Sequence, residues 1–98
     1  MALFAIICTD RPREGLKLRK QISPGHVNWL KGLGGTVKMA GPFVDEKGDP
    51  SGSLIVIEAG SLEEAEDIAS GDPYAQGGVF SSVEIRPFKW LLGRGEAD

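Results

Sequence analysis

Ser53-Leu54-Ile55-Val56-Ile57-Glu58-Ala59-Gly60-Ser61-Leu62-Glu63-Glu64-Ala65-Glu66-Asp67-Ile68-Ala69 changes character at its midpoint. Ser53 to Ala59 is a short apolar run with consecutive β-branched residues, the pattern of a well-covered strand. Gly60 interrupts it. Ser61 followed three residues later by Glu64 is a capping box, in which each side chain satisfies a backbone N–H at the start of a helix. From Leu62 the apolar residues recur at helical spacing, as Leu62, Ala65, Ile68 and Ala69. Glu63, Glu64, Glu66 and Asp67 face solvent near the positive end of the helix dipole. Gly71 ends the helix. A strand feeding directly into a one-sided helix is the building unit of a sheet with helices on one face.

The same unit precedes this stretch. Leu3 to Thr9 is a continuous apolar run, closed by Asp10-Arg11-Pro12. Arg13 to Gln21 is rich in helix formers but has only Leu16 and Leu18 as apolar contacts and is weakened by Gly15, so a short helix or helical turn is expected. A second helix is expected to open at Ser23-Pro24, with Ser23 as N-cap and Pro24 at the first helical position. It carries Val27, Trp29, Leu30 and Leu33 and stops at Gly34-Gly35. Thr36 to Val44 reads as a strand in which Gly41-Pro42 implies a bulge, a bend or an edge position. Asp45 to Gly52 is a polar hairpin loop.

After the capped helix, Asp72 to Gly78 reads as a turn with room for one helical turn. Val79 to Leu91 is a long alternating strand. It places Val79, Ser81, Val83 and Ile85 on one face and Ser82, Glu84 and Arg86 on the other, with Pro87 marking an edge. The order predicts an α+β, ferredoxin-like fold, a four-stranded antiparallel sheet with helices on one face, over residues 1–92 as a single domain. Residues 93–98 form a polar tail. One copy would leave the second sheet face bare, so a homodimer is the expected partner state.

The 98 residues include 11 Lys and Arg against 14 Asp and Glu, a formal net charge of −3, and the pI is about 5.1. Nucleic-acid binding wants a clustered basic face. The densest basic group, Arg11, Arg13, Lys17, Arg19 and Lys20, reads as the mixed-sign solvated face of a helix, so no nucleic acid is expected. The two tryptophans, Trp29 and Trp90, read as core or interface anchors. Cys8, the single cysteine, falls in an apolar run and reads as a buried, inert thiol. One His and one Cys make neither a disulfide nor a metal cluster, and no glycine-rich phosphate loop or dinucleotide fingerprint is present, so no metal and no cofactor are expected. The apolar N-terminus lacks a basic n-region and is too short for a signal or membrane span, which makes the cytoplasm the expected location, away from membranes.

The catalytic inventory then reduces to His26, the only histidine. As the third residue of the helix opened by Ser23-Pro24, it would feel the positive end of the dipole, which favours a neutral imidazole. At 100° per residue Leu30 lies ~40° to one side of it and Leu33 ~20° to the other, so His26 sits in the apolar stripe. It is either a core histidine bonded to a backbone carbonyl or the working group of a pocket. Asp72 is the best acid to orient it and leave one ring nitrogen free for a substrate proton. Asp72 followed by Pro73 is equally an ordinary helix cap, and one carboxylate can do both. Tyr74 is packing or a donor to a substrate oxygen. Arg19 is a solvated helix residue or a holder of an anionic ligand.

Several short motifs occur in a fixed order: Leu18-Arg19, Pro24-Gly25-His26-Val27-Asn28-Trp29-Leu30, Ala40-Gly41-Pro42, Ser61-Leu62-Glu63-Glu64-Ala65, Asp72-Pro73-Tyr74 and Val83-Glu84-Ile85-Arg86-Pro87-Phe88-Lys89. Together they resemble the YciI-like (YCII-related) family over nearly the whole chain. The resemblance implies a dimeric α/β-barrel type of ferredoxin-like fold and a cleft with a histidine and an aspartate, which fall on His26 and Asp72. The motif arginine falls on Arg19. Ser23 stands where family members often have arginine, and Gly25 where alanine is common. The expected function is a small cofactor-independent acid–base enzyme of lyase or isomerase type acting on a small organic molecule, aromatic compounds included. His26 and Asp72 would be catalytic, and Arg19, Gly41, Pro42 and Tyr74 would bind substrate. The alternative is a dimer that binds a small molecule without converting it.

Overall fold

A computed structural model describes residues 1–93. The elements are β1 (Ala2–Asp10), α1 (Glu14–Leu33), a 3₁₀ turn (Gly34–Thr36), β2 (Val37–Val44), β3 (Pro50–Ala59), α2 (Leu62–Ser70), α3 (Pro73–Gln76) and β4 (Phe80–Phe88). The sheet order is β2-β3-β1-β4, with each neighbouring pair antiparallel. The two longest apolar runs, β1 and β3, therefore occupy the centre. The polar tail expected for residues 93–98 lies, from residue 94 on, outside the described residues.

Register separates the two faces. Phe4 pairs with Ile57, Ile6 with Ile55 and Cys8 with Ser53, and these side chains lie under the helices. Apart from Ser53 they form the core with Ala59, Ala65 and Ala69, joined by Trp29, Leu30, Ile68, Phe80 and Ile85 from the periphery. Ile55 and Ile57 are 1% and 0% exposed, and burying such a side chain contributes about 1.5–3 kcal/mol. The opposite face carries Leu3, Ala5 and Ile7 of β1, opposed by Glu58, Val56 and Leu54 of β3. Met39 and Phe43 continue this face onto β2, and Phe88 onto β4.

Three expectations are corrected. First, α1 is one helix of 20 residues with Pro24 inside it. Ser23 is not its N-cap, and His26 is not near its positive end, so the dipole does not act on the imidazole as expected. Pro24 removes one helical N–H, but both Pro24 and Lys20, which would have bonded it, are exposed, so water can serve the freed carbonyl. Second, the hairpin loop is shorter, because β3 already begins at Pro50; Asp45 caps the turn by accepting from Lys47 N and Asp49 N. Third, β4 ends at Phe88. A bulge between Thr9 and Asp10 sets Phe80 opposite Asp10, which brings Phe80 to the core in place of Ser81. The expected capping box is present: Glu64 N donates to Ser61 Oγ at 3.1 Å and Gly60 N to Glu64 Oε2 at 3.2 Å.

Gly41-Pro42 lies in an edge strand, and the register shifts of β2 fall on either side of it, not at it. Pro87 lies in the other edge strand, β4. An edge accepts proline where its nitrogen points away from the single neighbour. Gly15, a weak helix former, is required by packing: a Cβ there would stand 2.9 Å from Asp10 Cβ and 3.0 Å from Val79 O. It lets the first turn of α1 lie directly on the end of β1. The chain enters α1 through a classic γ-turn at Arg13 (φ 63°, ψ −64°), closed by Glu14 N to Pro12 O at 2.6 Å. That conformation is strained for a non-glycine residue.

Candidate active site

Arg19 and His26 are seven residues apart on α1, two turns, so they share one face about 10 Å apart along the axis. Because α1 is unbroken, both border the same cleft. Arg19 meets the end of β1: its Nε donates to Asp10 Oδ2 at 2.8 Å and its Nη2 to Asp10 Oδ1 at 2.7 Å. Nη2 also donates to Ser53 Oγ at 3.0 Å. Burial lowers the affinity of Arg19 for its proton, but the bonds and charge of Asp10, with Tyr74 adding to them, more than offset this and hold the guanidinium above its usual pKa. Arg19 is 5% exposed, which corrects its reading as a solvated helix residue.

His26 meets the start of α3. Asp72 is the N-cap of that short helix, with Pro73 at its first position. Asp72 Oδ1 accepts from Tyr74 N at 2.9 Å and lies 2.7 Å from His26 Nδ1. The carboxylate therefore caps α3 and orients the imidazole at once. With Asp72 ionised, Nδ1 is the donor and the lone pair sits on Nε2. Among the described residues Nε2 receives no hydrogen bond, and no fully buried side-chain nitrogen or oxygen lacks a partner. Nε2 is thus open to the space beside it. A core histidine would show a backbone partner and no adjoining cavity; this ring faces a carboxylate and borders a cleft.

The ring is also clamped by aromatics. Tyr74 stacks on it at 3.9 Å between centroids and 12° between planes, and Trp29 lies at 6.0 Å. Arg19 Cζ lies 4.6 Å from the Tyr74 centroid, and Phe80 meets Tyr74 edge-on. Tyr74 therefore contacts one member of each pair, Arg19 and His26, and its stacking fixes the imidazole plane.

These groups border a cleft of about 390 Å³ between α1 and the β2–β3 side of the sheet. Arg19, His26, Ser53 and Tyr74 make its polar side. Leu16, Val27, Leu30, Ile55, Pro42 and Pro50 make apolar walls, and Lys20 and Ser23 border it from α1. The volume falls in the range of small-molecule pockets. Of the residues singled out from sequence, Arg19, His26, Gly41, Pro42 and Tyr74 all border the cleft; Asp72 does not line it but holds His26 from behind. Sequence reading missed Asp10 and Ser53. By sequence alone Asp10 marks the stop of β1 and Ser53 the start of β3. The available signal was a small polar residue entering an otherwise apolar run. Cys8 lies beneath these groups, 2% exposed; burial, then the charge of Asp72, push its thiol up to about 12, with Arg19 opposing.

The YCII-related domain family matches residues 2–89. Protein YciI of Escherichia coli O6:H1 is 34% identical over 95 residues, covering 89% of this chain and 96% of that protein. Among solved structures, the 5-chloro-2-hydroxyhydroquinone dehydrochlorinase TftG of Burkholderia phenoliruptrix, in complex with 2,5-dihydroxybenzoquinone, aligns with a TM-score of 0.79 at 27% identity over 93% of this chain and 95% of that one. An antibiotic biosynthesis monooxygenase, 11% identical with a TM-score of 0.56 over 94% of this chain and all of that one, shares the fold alone. An enzyme acting on a small ring compound thus has this architecture. No helix among the described residues is long and apolar enough to cross a membrane. The chain belongs to the YCII-related family, on a ferredoxin-like fold of the dimeric α/β-barrel type.

Proposed function

We propose that this protein is a small acid–base enzyme that eliminates or isomerises a small hydroxylated ring compound. The observation that carries this reading is His26, held through Nδ1 by Asp72 at 2.7 Å with Nε2 open to an apolar-walled cleft. His26 Nε2 takes an acidic O–H or C–H proton, the electron pair left behind moves into the carbon skeleton, and a leaving group departs as its anion. The net change is loss of HX, or a proton shift where nothing leaves, and it balances without external electrons. Asp72 stabilises the imidazolium that forms, and such a base supplies roughly 10²–10⁴ in rate. The dehydrochlorinase relative, whose substrate is a chlorinated hydroxyhydroquinone, supports halogenated hydroxyarenes as the first compounds to try.

The test is halide release and ultraviolet absorbance on a panel of halogenated di- and trihydroxybenzenes. His26→Ala and Asp72→Asn are expected to lower turnover by about 10²–10⁴ with the circular dichroism spectrum unchanged. Full turnover in either variant rejects the dyad. A second reading, a ligand-binding protein without turnover, is favoured by one observation: Asp72 Oδ1 already has a structural task as the cap of α3. A compound bound unchanged by wild type, and equally well by His26→Ala, would select it.

The protein is further proposed to be a homodimer joined through the uncovered sheet face. Met39, Phe43 and Phe88 on that face are 45%, 42% and 42% exposed, and contiguous apolar surface of this kind marks association. Light scattering is expected to give twice the chain mass, and Phe43→Glu the monomer.

A further inference from the structure

Ser53 stands opposite Cys8, so its side chain lies on the helix-covered face. It is 3% exposed and borders the cleft. The next residues of β3 on that face, Ile55 and Ile57, are core. A hydroxyl has one O–H to donate and two lone pairs to accept with. Arg19 Nη2 donates to Ser53 Oγ at 3.0 Å, and the same guanidinium is fixed by two bonds to Asp10. A guanidinium cannot accept, so the Ser53 proton turns elsewhere. Asp10 accepts from Nε and Nη2 and, like every other group among the described residues, receives no hydrogen bond from Ser53 Oγ. The direction left to it is the cleft. A hydroxyl that accepts from a cation is the stronger donor for it.

We propose that the Ser53 hydroxyl is the donor that receives an oxygen of the substrate, on the β3 wall of the cleft whose α1 wall carries His26. The class selected is a ring compound with a phenolic or enolic oxygen on which negative charge develops. The catalytic consequence rests on the acid–base reading above: as His26 removes a proton, the charge that builds on oxygen meets a donor already in place. Arg19 and Asp10 are then positioning residues, which orient and polarise Ser53.

The probe is 4-nitrophenol, compared with nitrobenzene, which lacks the hydroxyl. Wild type is expected to bind 4-nitrophenol saturably, with a shifted absorption band. Ser53→Ala and the better-accommodated Ser53→Cys each weaken that binding by about tenfold and abolish the shift, Ser53→Thr restores both, and nitrobenzene binding changes less than twofold. Arg19→Lys reduces the shift while Ser53 remains. With a confirmed substrate, Ser53→Ala lowers kcat more than it raises KM. Unchanged 4-nitrophenol binding in both weakened variants overturns the proposal, as does the absence of saturable binding by wild type. Failure of the acid–base reading looks different: no compound of the panel is turned over, while 4-nitrophenol binding still depends on Ser53 and survives His26→Ala.

Discussion

Two buried pairs flank the cleft, and they are built to opposite ends. Asp10 grips Arg19 through both carboxylate oxygens, at 2.8 and 2.7 Å. Asp72 holds His26 through one bond and leaves the far nitrogen open. A guanidinium keeps its charge at any ordinary pH, so its counter-ion is obligatory once it is buried. An imidazole can take up or release a proton, so its partner need only aim it. The pair that fixes a permanent charge reads as scaffold, and the pair that leaves a ring nitrogen open reads as the place where a proton can be exchanged.

Breaking the first pair should therefore cost the most stability. Asp10→Ala strands the Arg19 charge and is expected to lose about 4 kcal/mol in urea denaturation. The paired replacement Asp10→Leu with Arg19→Met should recover most of that, since removing both charges removes the penalty. Asp72→Ala is expected to cost about 2 kcal/mol, through loss of a helix cap and of the His26 Nδ1 partner. If the two single changes cost the same, the contrast between the pairs is wrong.

Cys8 reports on the ground between them. Its thiol ionises from about pH 9 in the unfolded chain and about pH 12 in the folded one. The fold favours the neutral thiol, so this contribution to stability is present below about pH 9 and is lost as pH rises from there to about 12. The stability of wild type relative to Cys8→Ala should fall across that window, and a thiol dye at pH 8 should label native protein only at the unfolding rate. The smallest effect belongs to the approach to α1. Arg13→Gly relieves the γ-turn and should add about 1 kcal/mol while leaving turnover unchanged, because it touches neither pair.

Much of this arrangement is legible in the chain. Leu3 to Thr9 and Ser53 to Ala59 read as strands because their apolar runs reflect burial at the sheet centre. Ser61 and Glu64 announce α2 because a capping box is a local device. His26 stands out because it falls in an apolar stripe, and Asp72 because a carboxylate before Pro73 is a cap. What failed is instructive. Ser23-Pro24 looks like a helix start by every local rule, yet α1 runs through it, because the N–H that Pro24 lacks is lost on an exposed side of the helix, where water can serve the carbonyl of Lys20. Asp10 and Ser53 were invisible because their meaning arises only when β1, β3 and α1 converge on Arg19. Pairing across 9 and 34 residues leaves no periodic trace.

The prolines of the sheet have one more consequence. Pro42 and Pro87 stand in the two edge strands, β2 and β4, and each removes one backbone donor there. Proline in an edge strand is one of the devices that discourage strand-by-strand extension of a sheet into fibres. The proposed contact between copies then falls on the apolar face, where a two-fold arrangement would close on itself and stop.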